Sequence, residues 1–395
     1  MDVTQLEAKV RDYGARNYKP LDVMVTKGEG IWVEDINGKR YMDCLSAYSS
    51  LNQGHCHPRI LAALVDQAKK LHLTSRAFKN DMLPRFYQKI CNLAGLDACL
   101  PMNTGTEAVE TALKAARKYA HEFMNIDSNG GNIIACKNNF HGRTISIVSF
   151  SSEPLYRDGF GPYTPGFKLV PFGDAIAFEE AIDDSTIGIL LEPIQGEGGI
   201  LLPPDGYLAR VREFCNERGI LMILDEIQTG LGRTGKMFAH DWEEIKPDIL
   251  ILGKALSGGM YPVSAMLARR DIMDVFAPGT HGSTFGGNPL ACAVAIAALD
   301  VIVEENLPNR ALELGKYLMK ELGKIQSRVI KEIRGRGLLV GIELVEDARP
   351  YCEMLLNRGI LCKDTHGTTI RIAPPLIIER DEIDHLVSIM NEILS

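Results

Sequence analysis

The sequence predicts an α/β protein: a large, mostly parallel, doubly wound sheet with a smaller α+β domain built from both ends of the chain. Three observations carry that expectation. Short apolar runs recur between segments with helical signals, from about residue 51 to residue 290. None of these runs alternates polar with apolar residues, which is the pattern of strands covered on both faces by helices. The two flanks break this rhythm and read as a hairpin and a set of short strands, and 395 residues exceed one ordinary domain.

Taken in order, Val25–Asp35 and Lys39–Asp43 read as the arms of a hairpin around an Asn37-Gly38 turn. Pro58 opens a helix running to Leu71, and a further helix covers Thr104–Phe123. Strands are predicted at Asn132–Cys136, Ile145–Phe150, Ile187–Leu191, Ile220–Leu224, Ile249–Leu252 and Val263–Leu267. Helices at Gly206–Glu217 and Asn288–Glu304 complete the alternation. After residue 305 come a helix, a strand at Leu338–Leu344, a helix at Ala348–Arg358, and strands near Ile360 and at Thr369–Ile372. The expected division is therefore 51–290 for the large domain, with 1–50 and 291–395 forming the small one.

Composition narrows the class. A net charge of −8 argues against nucleic acid or an anionic membrane as the main partner. The longest apolar run, Leu290 to Leu299, stops at Asp300, short of a membrane span. The start, Met1-Asp-Val-Thr-Gln-Leu-Glu, is acidic and shows neither a secretory nor a transit peptide. Nine cysteines, an odd number without a Cys-x-x-Cys, fit a reducing compartment. A cytoplasmic enzyme is the expectation.

Two strand ends carry the chemistry. Ile220–Leu224 ends in Asp225, and Ile249–Leu252 is followed by Lys254. Parallel neighbours would bring both to the carboxyl edge of the sheet, where α/β proteins keep ligands. A carboxylate that holds a ring nitrogen protonated and an amine that forms a Schiff base are what pyridoxal 5'-phosphate requires of a protein. Asn103-Thr-Gly-Thr-Glu107 is a capping box, yet its Gly105 and Thr106 amides could also hold a phosphate at a helix N-terminus. Phe140 offers a flat platform for a ring, and Arg143 a fork for a carboxylate, although a single arginine more often sits on a solvated surface. Arg371 lies in an otherwise apolar strand and needs an acid, for which Glu197 is a candidate.

Three patterns mislead. Gly230-Leu-Gly-Arg-Thr-Gly-Lys236 imitates a nucleotide-binding loop, but Met237 stands where magnesium needs a hydroxyl, and no helix evidently follows. Gly335-Arg-Gly-Leu-Leu-Val-Gly341 places its glycines before a strand instead of after it. His55-Cys56-His57 lacks partners at ligand spacing, so no metal site is expected.

Nearly the whole chain resembles the class III aminotransferases of pyridoxal-phosphate fold type I. The most specific likeness is Leu-Asp225-Glu226-Ile-Gln228-Thr-Gly-Leu-Gly-Arg233-Thr-Gly with Lys254 downstream. Tyr13–Pro20, Leu45–Pro58 and His281–Pro289 resemble the branch that uses ornithine. The resemblance implies that Lys254 carries the cofactor and shuttles the proton, while Asp225 pairs with the ring nitrogen. It also implies Gln228 on the ring's phenolic oxygen, Phe140 stacked on the ring, and Gly105 and Thr106 on the phosphate. Thr284 would reach that phosphate from the other subunit of a homodimer. Tyr18 and Arg143 would grip the α-carboxylate of ornithine, and Tyr48 would shape the donor side. Glu197 and Arg371 would form a switch that parts to admit 2-oxoglutarate. The implied reaction links arginine breakdown to proline formation. N-acetylornithine or 4-aminobutyrate as donor, or an aminomutase without a separate amino acceptor, are the alternatives.

Overall fold

The computed structural model describes residues 3–395, so Met1 and Asp2 of the acidic start lie outside the described residues. A seven-stranded sheet forms the centre. Its spatial order is Ala98–Met102, Ser264–Ala268, Ile249–Leu252, Leu221–Asp225, Thr186–Leu191, Asn132–Cys136 and Phe167–Val170. Only Ser264–Ala268 runs against its neighbours; the other contacts within the sheet are parallel. Every residue of Thr186–Leu191, Leu221–Asp225 and Ile249–Leu252 is buried, as expected of strands roofed on both faces. Gly105–Phe123 packs on this sheet through Ala108, Ala112, Ala115 and Ala116, small enough to bring the helix close.

The sheet differs from expectation at three places. Ile145–Phe150 is no strand: Ile145–Val148 is a short helix, with Ile147 and Val148 buried and Ile145 exposed. Four apolar side chains over the six residues 145–150 leave helix and buried strand indistinguishable by pattern. Ala98–Met102 is an unexpected strand, hidden by Pro101, which a sheet tolerates because this strand lies at the edge. Phe167–Val170, the opposite edge, is equally short and carries Lys168.

Both flanks contribute to the remaining sheets. The expected arm Val25–Asp35 breaks into Val25–Glu29 and Trp32–Asp35 at Gly30, and Arg40–Asp43 follows the Asn37-Gly38 turn. Asp35 holds that turn by accepting from the amides of Asn37 and Lys39. Ile360–Leu361 then pairs in parallel with Arg40–Asp43. A third sheet comprises Ile330–Arg336, Leu339–Leu344, Thr369–Ile372 and Lys363–Thr365; its first strand, rich in charge, had no apolar signal. Pro289–Glu304 is apolar on nearly all sides and packs on Pro58–Ala68 and Met82–Ala94. Among the described residues no helix is long and apolar enough to cross a membrane.

One local feature defies ordinary backbone rules. Ser46, Ala47, Tyr48 and Ser49 all have positive φ, between 46° and 68°, forming a left-handed turn without glycine. Such residues cost roughly 1–2 kcal/mol each in this conformation. Side chains hold the turn in place. Asp43 accepts from the amides of Leu45 and Ser46, and the Ser46 hydroxyl donates 2.7 Å to the Ala373 carbonyl.

Candidate active site

Asp225 ends its strand, and Lys254 follows the neighbouring strand by two residues, so both reach one cavity at the carboxyl edge. The cavity measures about 180 Å³. Gly105, Thr106, Phe140 and Gln228 also line it, so the structure brings together all the residues expected around the cofactor except Thr284. Thr284 is exposed and lies outside the cavity of its own chain.

The helix start fulfils both of its readings. Thr104 accepts from the Glu107 amide while the Glu107 carboxylate accepts from the Thr104 amide, closing a capping box. The Gly105 and Thr106 amides belong to the first turn, have no helical acceptor, and face the cavity edge. Gly142, with φ of +127°, passes so close to Thr106 that a side-chain carbon there would sit 2.2 Å from its hydroxyl. Lys254 itself has φ of +45°, a strained conformation of the kind found at functional sites.

Asp225 is not alone. Its Oδ2 lies 2.7 Å from His141 Nδ1, and its Oδ1 accepts from the Ile227 amide. Burial works against the His141 cation, but the Asp225 carboxylate outweighs it and raises the imidazole above its ordinary value. Glu192, at the end of Thr186–Leu191, lines the same cavity and accepts from the Phe140 amide. Burial, reinforced by the charge of Asp225, pushes the Glu192 carboxyl up to about 7. Burial lowers the Lys254 amine, against the pull of the Glu197 and Asp225 carboxylates.

A second cavity, about 520 Å³, adjoins Glu197 and gathers Tyr18, Tyr48, Arg143 and Tyr156. Arg371 lies behind it, buried, with one nitrogen 2.8 Å from Glu197 Oε1 and another 2.9 Å from the Gly196 carbonyl. The Tyr48 ring covers that guanidinium at 5.2 Å. Gln228 Nε2 shares Glu197 Oε1 at 3.3 Å. Burial alone would raise the Glu197 carboxyl, yet Arg371 and Lys254 outweigh it and hold it below the usual range.

The three misleading patterns resolve structurally. Gly230–Lys236 forms turns, and its Arg233 is buried, donating to the carbonyls of Leu338 and Pro374 and to Asn52 Oδ1. Gly337 turns the chain between two antiparallel strands. His55 pairs with Asp43 and His57 with Glu305, two separate acids. Among the described residues no group of three or more side chains could hold a metal ion.

The model of the aminotransferase class-III family matches residues 13–394. The chain belongs to the class III aminotransferases. Among similar class III aminotransferases is ornithine aminotransferase 2 of Staphylococcus aureus, 59% identical over 372 residues, 94% of each chain. The crystal structure of ornithine aminotransferase from Toxoplasma gondii ME49 superposes with a TM-score of 0.98 at 46% identity, covering 99% of this chain and 94% of that one. The acetylornithine aminotransferase structure from Elizabethkingia anophelis gives 0.90 at 47% identity, covering 99% and 98%.

Class III aminotransferases work with pyridoxal 5'-phosphate, and the residues present fit that group. Gln228 Oε1 and His141 Nε2 are buried polar atoms without a partner in the protein, which an unmet ligand explains. Gly196 keeps the space open, since a side-chain carbon there would overlap Gln228 Oε1 at 1.6 Å. His141 and Glu192 were missed as functional residues. Glu192 follows a buried strand just as Asp225 does, so the same strand-end rule would have found it.

Proposed function

We propose that this class III aminotransferase moves the δ-amino group of L-ornithine to a 2-oxo acid, 2-oxoglutarate by preference. The observation that carries this reading is the Glu197–Arg371 pair under Tyr48, at one end of a cavity that also holds Tyr18 and Arg143. While paired, the two charges cancel, which suits a donor with a cationic amine and a carboxylate at its far end. When Glu197 swings away, the Arg371 fork is free for a carboxylate of a dianionic acceptor. Arg143 and Tyr18 would receive the α-carboxylate of ornithine and leave its δ-amine toward Lys254.

Pyridoxal phosphate, when bound, supplies an electron sink for the pair left behind as a proton leaves the amine-bearing carbon. Lys254 would hold the cofactor, Asp225 its ring nitrogen, Gln228 its phenolic oxygen, Phe140 its ring face, and Gly105 and Thr106 its phosphate. His141 fixes the Asp225 carboxylate, which in turn raises the affinity of the imidazole for a proton against its burial. The lowered Lys254 amine is neutral more often at working pH, the form that takes a proton from the δ-carbon. The product, glutamate 5-semialdehyde, closes on its own amine to pyrroline-5-carboxylate.

Purified protein given ornithine and 2-oxoglutarate is expected to yield pyrroline-5-carboxylate and glutamate. No such product, with good turnover of N-acetylornithine or 4-aminobutyrate, would overturn the reading. Turnover without any 2-oxo acid would favour the aminomutase alternative. Glu197→Ala leaves Arg371 unpaired, so the ratio of ornithine to glutamate as donor should fall by at least about tenfold. An unchanged ratio removes the switch.

The proposal extends to assembly and location. Thr284, exposed in its own chain, supports a homodimer in which it meets the partner's phosphate site. The division at 51–290 is supported by the central sheet lying inside it, although Pro289–Glu304 crosses its boundary. A cytoplasmic site of action is supported by nine free cysteines.

A further inference from the structure

We propose that Tyr156 is the positioning residue for Arg143, and that the donor carboxylate is read by an arginine stacked on one aromatic ring and flanked by a second. This rests on Arg143 as the donor-carboxylate group above. Arg143 is exposed and follows Gly142, whose φ is +127°. No acidic side chain pairs with it among the described residues. Instead its guanidinium carbon stands 4.2 Å from the centre of the Tyr156 ring and 5.7 Å from that of Phe140. The two rings meet edge to face, 5.8 Å apart at 78°.

Such stacking uses the faces of the guanidinium plane and leaves its N–H edge free. A carboxylate binds along that edge, through two parallel hydrogen bonds. An acidic neighbour would have restrained Arg143 equally well but occupied the edge the substrate needs. Tyr156 therefore orders the fork without competing for it. Its own setting is fixed locally: Pro154 opens the short helix Pro154–Arg157, and the Glu153 side chain accepts from the Leu155 amide. Burial and the charge of Glu197 raise the Tyr156 phenol, outweighing the opposing charge and side-chain hydrogen bond of Arg143, so the two meet as a neutral phenol and a cation rather than as an ion pair. Selection for donors with a distal carboxylate is thus set partly by a residue that acts through Arg143.

The test compares single-turnover kcat/KM for ornithine and for 1,4-diaminobutane, which has the same amine spacing and no carboxylate. Tyr156→Leu keeps apolar bulk but removes the π face; its ornithine-to-diamine ratio should fall about fivefold. Tyr156→Phe should restore most of that ratio. Thermal midpoints identify any variant that fails to fold, and Tyr156→Met then replaces the leucine. Arg143→Ala should lower the ratio by at least about tenfold. If Arg143→Ala leaves the ratio unchanged, the reading of Arg143 itself is wrong. If Arg143→Ala lowers it while Tyr156→Leu does not, or Phe does no better than Leu, the positioning role of Tyr156 is overturned.

Discussion

Lys254→Ala is expected to lower turnover by at least roughly a thousandfold while leaving the fold intact. The cavity contains one amine, and no other lysine lines it. In the roles proposed above, removing it deletes both the covalent hold on the cofactor and the group that moves the proton at the δ-carbon. The nearest acids are already engaged: Asp225 with His141, Glu197 with Arg371 and Gln228, and Glu192 with the Phe140 amide. The alanine should also ease the strain of a left-handed residue only slightly, since alanine too disfavours positive φ. Borohydride reduction of the parent protein followed by peptide mapping should place the cofactor on Lys254. A label on a different lysine, or an alanine variant with near-parent turnover, would sink the assignment.

Asp225→Asn is expected to cost roughly a hundredfold to a thousandfold in kcat, the scale of losing one preorganised electrostatic partner. The amide can keep the contact to the Ile227 backbone and still lie near His141, so geometry is nearly conserved. What it loses is the negative charge. In the role proposed for Asp225, the cofactor's ring nitrogen would then lose the charge that holds its proton. His141, raised chiefly because Asp225 outweighs its burial, should fall back toward neutrality. The variant's pH profile should therefore shift along with its rate. An Asn variant within about fivefold of the parent would show that charge at this position is unimportant.

How much of this was legible depended on whether a signal was local. Asp225 and Lys254 end buried strands, and a buried strand is a continuous apolar word that can be read without knowing its neighbours. Phe140, Gly105 and Thr106 sit next to equally plain signals. His141 does not, because its partner Asp225 is 84 residues away and nothing nearby marks the pairing. The left-handed turn at Ser46–Ser49 contains no glycine, so the residue that would announce such a backbone is missing. Part of its restraint comes from Ala373, more than three hundred residues away. Ala98–Met102 was masked by a proline that only an edge position permits, and position within a sheet is a global property. Tyr156 sits on a four-residue helix, too short for any period to show.

The sheet that joins both ends of the chain also dictates an order of manufacture. All seven central strands lie between residues 98 and 268, so they can assemble while the ribosome is still making the rest. The Tyr48 turn cannot. Its anchor, Ala373, and the arginine it covers, Arg371, are synthesised only after all seven central strands. Closing that contact spans more than three hundred residues and is correspondingly slow. A nascent chain can thus build the cavity around Asp225 and Lys254 before the Tyr48–Arg371 contact beside it is able to form.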